Sequence, residues 1–405
     1  MKDTKKLLFL GTYPPPYGGI SSHLYDLLPS LQKTGHKVIS FTPYAEKNMN
    51  DEFENGLRII KMTTRKMFVN NSLKILLFLF LNIKYLYSLK LIQYIRLVSC
   101  AFQLRKIIKN ERIDIVYTFE EHILIIPFLK KIINNNIIIN SMIFGEYYLY
   151  PDKFLKMKLY MKKCFSLIDQ IYSSSQYCAE SIEKVFSFKF SSKVIYVGVD
   201  ENIYFPAKNN QKFKSFLNIP ESSFVYFFLG RMDKSMGIDF LIENAEKILN
   251  IGENVYLILA GAKGSYSVQV NELSNKYDRI KYYENIPFDQ KLSFYHACDV
   301  YLAPTMQKHA CMGVSIKEAM ACGKPIIASN SGGIPEAITN GENGFMIDTI
   351  NGKLDSEDFI KKLEMIYKDE LLREKMSKKG RKVFLEKFTN KITLNKYLEI
   401  INELS

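Results

Sequence analysis

The chain reads as an α/β protein built from two doubly wound parallel sheets that face a central cleft. Three observations predict this. An apolar run, Lys6–Gly11, ends in glycine and leads through a Pro/Gly turn into a helical stretch and a second apolar run. The same alternation restarts at Ser223–Gly230, after a polar crossing bracketed by Asp200 and Pro206. The length of 405 residues, 47% of them apolar, suffices for two domains, each of about 150 to 200 residues.

Lys6–Gly11 has no polar alternation, as expected of a strand buried on both faces of a parallel sheet. The turn Pro14–Gly19 precedes a helix over about Ile20–Thr34, which Gly35 and His36 close before a strand at Lys37–Phe41. Strands follow at Ile113–Thr118 and Asn136–Met142, with a helix at about Ile123–Ile133 between them. A helix at Lys153–Phe165, a short strand from Gln170 and the run Lys193–Asp200 complete the first half.

The second half alternates strand to Gly230, helix Gly237–Leu249, strand Val255–Ala260, helix Phe288–Ala297, strand Val300–Ala303, helix Val314–Cys322 and strand Pro325–Ala328. A charged tail, Ser356–Ser405, has helical periodicity with a break near Phe388–Asn390. The expected domains are 1–203 and 204–387, with 388–405 returning to the first. No GxGxxG follows the first strand, which argues against a dinucleotide oxidoreductase.

Composition narrows the function classes. Six cysteines without a CxxC pair and five dispersed histidines predict neither a disulfide framework nor a metal site. The N-terminus lacks the build of a signal peptide, so a cytoplasmic chain with reduced thiols is expected. A net charge of +13 asks for an anionic partner. No nucleic-acid-binding motif is present. The stretch Leu73–Ile108 mixes apolar runs with Lys74, Lys84, Lys90, Arg96, Arg105 and Lys106. It reads either as core helices or as peripheral contact with an anionic membrane, the inner face if the chain is cytoplasmic.

The strongest signal lies between Tyr301 and Asp348. A strand there enters a glycine-containing loop and then a helix, a build that presents backbone N–H groups to an anion such as a phosphate. Gly313, Glu318, Ala319, Met320, Ala321, Gly323, Pro325, Gly332, Gly333, Glu336, Asn343 and Gly344 fall on the frame of a known family. This run resembles the donor-binding segment of the retaining glycosyltransferases of family four (glycosyl transferases group 1), enzymes of GT-B architecture with two Rossmann-like domains.

The resemblance implies transfer of a sugar from a nucleotide-diphosphate donor to a glycan, lipid-linked or protein-linked acceptor, with no metal or other cofactor. It implies that Glu318 binds the ribose hydroxyls and that Gly230, Gly261, Met312, Gly313 and Val314 line the donor. Gly230–Gly237 resembles the family's Gly-Arg…Lys-Gly motif, in which Arg231 grips phosphate. Met236 stands where the motif has lysine, and Lys234 lies two residues earlier. Gly18 and Gly19 resemble the family's N-terminal glycine pair, where backbone approaches the ligand.

Two further positions depart from the pattern. Ala310 stands where the family has its first glutamate, and Phe144 where members often carry histidine. His122 and Glu146 are the acceptor-side candidates. The three departures at Ala310, Met236 and Phe144 give a second reading, a catalytically silent GT-B protein that partners an active transferase. In the first reading the departing phosphate itself helps deprotonate the acceptor, so positioning and charge matter more than a protein base.

Overall fold

The structure is a computed structural model that describes residues 4–14, 19–46, 49–54, 56–73, 75, 90–133, 137–145, 157–187, 192–207, 211–306 and 312–404. The chain divides into two units, Met1–Tyr196 with Thr393–Ser405, and Val197–Ile392.

The first unit is built on an eight-stranded sheet. Its strands are β1 (Lys6–Leu10), β2 (Lys37–Pro43), β3 (Met49–Glu54), β4 (Leu57–Met62), β5 (Ile115–Phe119), β6 (Ile138–Ile143), β7 (Gln170–Ser173) and β8 (Ser192–Val194). Their order is β3-β4-β2-β1-β5-β6-β7-β8, parallel except for the edge strand β3. The order reverses between β1 and β5, the switch point of a doubly wound sheet. Leu7, Leu8 and Phe9 of β1 are fully buried, which explains the unbroken apolar run. Each such side chain contributes roughly 1.5–3 kcal/mol on burial.

Helix Leu91–Glu111 buries Tyr94, Val98, Ala101 and Leu104 in the core of this unit. Helix Asn390–Glu403 brings Tyr397 into the same unit, where its ring lies 5.6 Å from Tyr117.

The second unit has a six-stranded parallel sheet of order β11-β10-β9-β12-β13-β14. The strands are β9 (Phe224–Leu229), β10 (Val255–Gly261), β11 (Ile280–Glu284), β12 (Val300–Ala303), β13 (Ile326–Ser329) and β14 (Gly344–Ile347). A two-stranded hairpin of β15 (Thr349–Ile350) and β16 (Lys353–Leu354) follows. The switch point lies between β9 and β12, whose neighbouring residues pair in parallel from Val300 with Tyr226 to Leu302 with Phe228.

Several elements differ from the sequence expectation. The β3–β4 pair, helix Gln176–Phe186, helix Ser267–Lys276 and strands β11 and β14 were not expected. The β3–β4 pair, the two helices and β11 carry charged residues that interrupt any apolar run, and β14 is apolar but only four residues long. The expected helix Gly237–Leu249 breaks at Asn244, whose side-chain amide donates to the Phe240 carbonyl at 2.9 Å. The run Lys193–Asp200 forms strand only to Val194. Beyond it the chain enters the second unit, where Val199 pairs with Thr389. The tail breaks between helices Glu370–Lys387 and Asn390–Glu403.

Among the described residues no helix is long and apolar enough to cross a membrane. Cys100, Cys164, Cys298 and Cys322 are buried free thiols.

Candidate functional site

The carboxyl ends of β9, β10 and β12 converge at the switch point of the second unit, where open α/β sheets bind ligands. Glycine makes this convergence possible. A Cβ on Gly261, whose φ is +134°, would lie 2.0 Å from the Gly230 carbonyl oxygen. A Cβ on Gly237, at φ +77°, would lie 2.1 Å from the Pro304 carbonyl oxygen. Side chains at either position would push the loops apart.

Main-chain bonds lock these loops. Met232 N–H donates to Ala262 at 3.0 Å, and Tyr266 N–H donates to Met232 at 2.8 Å. Asp233 accepts from the Ser265 N–H at 2.7 Å and from its hydroxyl at 2.9 Å. The Ser265 N–H bond, together with the Ser265 hydroxyl and nearby Arg231, lowers the Asp233 pKa below the usual carboxylate range. Thr305 donates to the Ser235 carbonyl at 3.0 Å, joining the β9 loop to the end of β12.

Two cations project from this rigid loop. Arg231 lies 3.7 Å from Asp233, and Lys234 lies 3.9 Å from Asp239. Their side chains are 67% and 76% exposed, so these ion pairs contribute little to stability. Arg231 and Lys234 are loosely held and able to turn toward an anion.

Glu318 is the opposite case. It sits on helix Val314–Ala321, which Gly313 opens with φ 72°. Within an α-helix the first N–H groups have no intrahelical partner. Met312 is buried just before the turn. The Glu318 side chain is only 4% exposed, and both carboxylate oxygens are engaged. Lys291 Nζ reaches Oε1 at 2.5 Å, and the Tyr295 hydroxyl donates to Oε2 at 2.6 Å.

The Tyr295 ring lies 5.7 Å from that of Tyr301, whose hydroxyl donates to the Leu229 carbonyl at 3.2 Å. A contact path therefore runs from the residue before Gly230 to Glu318. Burial, reinforced by the Glu318 charge, pushes the Tyr295 pKa well up, so the phenol keeps its proton and donates.

The preceding residue on the helix, Lys317, points elsewhere. Its Nζ donates to the Val197 carbonyl at 2.9 Å and lies 5.7 Å from the Phe388 ring. Burial lowers its pKa to about 7.

Aromatic rings cluster at the strand ends of the first unit. The His23, Phe119 and Phe144 rings meet with centroids 5.8 to 6.2 Å apart. Phe144 N–H donates to Glu120, which is buried with φ 47°. His122 is half-buried, and one ring nitrogen is 2.8 Å from the Phe119 carbonyl. Burial lowers its pKa. Gly19 opens helix Gly19–Lys33, and a Cβ there would meet none of the described residues within 4 Å. Packing alone therefore does not demand glycine at that position. Gly18, Glu146 and Ala310 lie outside the described residues.

The structure thus gathers Gly230, Arg231, Lys234 and Gly261 at one switch point and links them to Glu318 through Tyr301 and Tyr295. The sequence reading missed Lys291 and Tyr295. Their spacing of four on one helix was a usable signal, because it puts both side chains on one face. It also passed over Glu120, where a non-glycine residue takes a left-handed backbone.

Comparison with known proteins bears on family and fold. The glycosyl transferases group 1 family model matches residues 209–383, and the glycosyltransferase family 4 model matches residues 17–203. A putative glycosyltransferase of Bacillus subtilis, YtcC, is 26% identical over 66% of this chain and 67% of its own length. The capsular polysaccharide biosynthesis glycosyltransferase CapM of Staphylococcus aureus is 30% identical over 46% of this chain and 48% of its own length. The chain therefore matches about half of that relative. The solved structure of Anabaena HepE, in complex with UDP and glucose, superposes with a TM-score of 0.76 at 16% identity, covering 98% of this chain and all of that one. With family models over both halves and this shared fold, the chain belongs to the group 1 glycosyltransferases of GT-B fold, with a family 4 first half.

Proposed function

We propose that the protein is a retaining glycosyltransferase that moves a sugar from a nucleoside diphosphate onto a glycan, lipid-linked or protein-linked acceptor in cell-surface polysaccharide or glycoconjugate synthesis. The observation that carries this reading is the switch point of the second unit. A glycine-tight loop there presents Arg231 and Lys234, and contacts run from it to the buried carboxylate of Glu318. The capsular polysaccharide relative and the UDP-bound neighbour support the substrate class.

In this reading Glu318 accepts from the ribose hydroxyls. Arg231, Lys234 and the first-turn N–H groups after Gly313 stabilise the diphosphate as it leaves. The bond from the anomeric carbon to phosphate oxygen breaks, and its electron pair goes to the nucleoside diphosphate. The acceptor oxygen bonds to the same face of the sugar and passes its proton to a phosphate oxygen. Charge neutralisation falls to basic side chains, so we propose that no metal is needed. Activity should then persist in excess EDTA.

Peripheral contact with an anionic membrane belongs to the same proposal. Leu73, Ile92 and Leu159 of the first unit are at least 75% exposed, and Lys90 and Lys158 stand beside two of them. Residues 74 and 76–89 of the suspected segment lie outside the described ones. Sedimentation with anionic liposomes at low salt should carry the protein down, and neutral liposomes should not.

The donor reading is tested by melting the protein with millimolar UDP, GDP or ADP. One nucleotide should raise the melting temperature, and Glu318→Ala should abolish the rise and lower kcat/KM by about 10²–10³. No shift with any of the three rejects the donor site.

A further inference from the structure

Glu318 is a buried carboxylate with a partner on each oxygen, and the two partners differ in kind. Lys291 contributes a full charge 2.5 Å from Oε1, and Tyr295 contributes a neutral hydroxyl 2.6 Å from Oε2. A carboxylate offers roughly four acceptor positions. These two contacts leave one on each oxygen, which suits the paired hydroxyls of a vicinal diol.

The Lys291 ammonium is held in place. Its side chain is 18% exposed, and the nitrogen lies 5.2 Å from the Phe288 ring and 5.8 Å from the Tyr204 ring. Aromatic faces attract a cation and restrict its swing toward water. Lys291 and Tyr295 share one face of helix Lys291–Ala297, so a single rigid element aims both donors. A buried carboxylate stripped of its cation would be left uncompensated.

We infer that Lys291 is a positioning residue that holds Glu318 as a charged, acceptor-only carboxylate aimed at a ribose diol, and thereby sets a preference for ribonucleotides over 2′-deoxyribonucleotides. This rests on the reading of Glu318 as the ribose-binding group. The Tyr295 hydroxyl fixes the second oxygen and so the plane of the carboxylate. A residue that merely held the helix in place would affect both sugars alike.

Affinities of the full chain are compared for UDP, GDP and ADP, each against its 2′-deoxy counterpart, by titration calorimetry. The wild type should prefer the best ribonucleotide by about 10- to 100-fold, the worth of hydrogen bonds to a charged group. Lys291→Met should bring ribonucleotide affinity down to nearly the deoxynucleotide value and leave the deoxynucleotide affinity almost unchanged. Lys291→Arg should restore most of the preference. Tyr295→Phe removes only a hydroxyl and should lower the preference partway, which gives a readout if Lys291→Met fails to fold. An equal loss of affinity for both sugars in the Lys291 and Tyr295 variants overturns the positioning role. A wild type without ribose preference, or a preference that survives Glu318→Gln, overturns instead the assignment of Glu318 on which it rests.

Discussion

The two sheets share one winding pattern and end differently. At the carboxyl ends of the first unit's strands aromatic rings cluster, with Phe119, Phe144 and His23 in mutual contact. At the corresponding ends in the second unit, backbone meets backbone across Gly261 and Gly230, and charged groups stand on the rim. A doubly wound sheet supplies a switch point in both cases. The side chains at the strand ends differ: aromatic rings in the first unit, glycine-tight backbone with cations on the rim in the second.

The largest effect that would break this contrast is a methyl group at Gly261. Gly261→Ala adds a Cβ that would lie 2.0 Å from a carbonyl oxygen, at a backbone angle of +134°. It should cost more than the roughly 1–3 kcal/mol typical of a strained backbone and be read as a large fall in melting temperature. Gly19→Ala in the first unit meets open space and should shift stability by no more than about 0.5 kcal/mol. Equal losses from the two would mean that the loops of the second unit are not glycine-locked.

Next in size is the loss of a rim cation. Arg231→Ala should lower kcat by about 10² while leaving the melting temperature unchanged, because its ion pair is exposed. Lys234→Ala compared with Met236→Lys tells whether the displaced lysine serves the phosphates. A gain from Met236→Lys alone, with no loss from Lys234→Ala, would show that it does not.

The smallest effect is a pH dependence peculiar to the helix that carries Glu318. Buried Lys317 titrates near 7 in the folded chain, because burial outweighs the attraction of Glu336. The unfolded chain then binds more protons between about pH 7 and the ordinary lysine range, so stability rises with pH across that window. The cost of the buried charge is fully present below pH 7. Lys317→Met should flatten the rise in melting temperature between pH 7 and 9.

The second unit was the more legible in sequence, and the reason is physical. Its central strands are unbroken apolar runs, and the loops at their carboxyl ends need glycine at fixed places, so both leave a local trace. Strand β3, with sequence MNDEFE, is a charged edge, β11 is only partly buried, and β14 is apolar but four residues long, so none announces itself as a core strand. In the site, Glu318 could be found from its own segment. Lys291 and Tyr295 reach it from 27 and 23 residues away, a pairing made by packing rather than by spacing. The crossing between units was misplaced by a few residues because Val199 pairs with Thr389, a contact that neither local sequence announces.

That arrangement has a consequence for synthesis. The second unit is one continuous stretch, Val197–Ile392, whereas the first also needs Thr393–Ser405. Tyr397, fully buried among Phe9, Tyr117 and His23, is translated after every residue of the other unit. On the ribosome the order of completion is therefore inverted. The half made first must wait, with an aromatic gap in its core, until the half made second has already emerged.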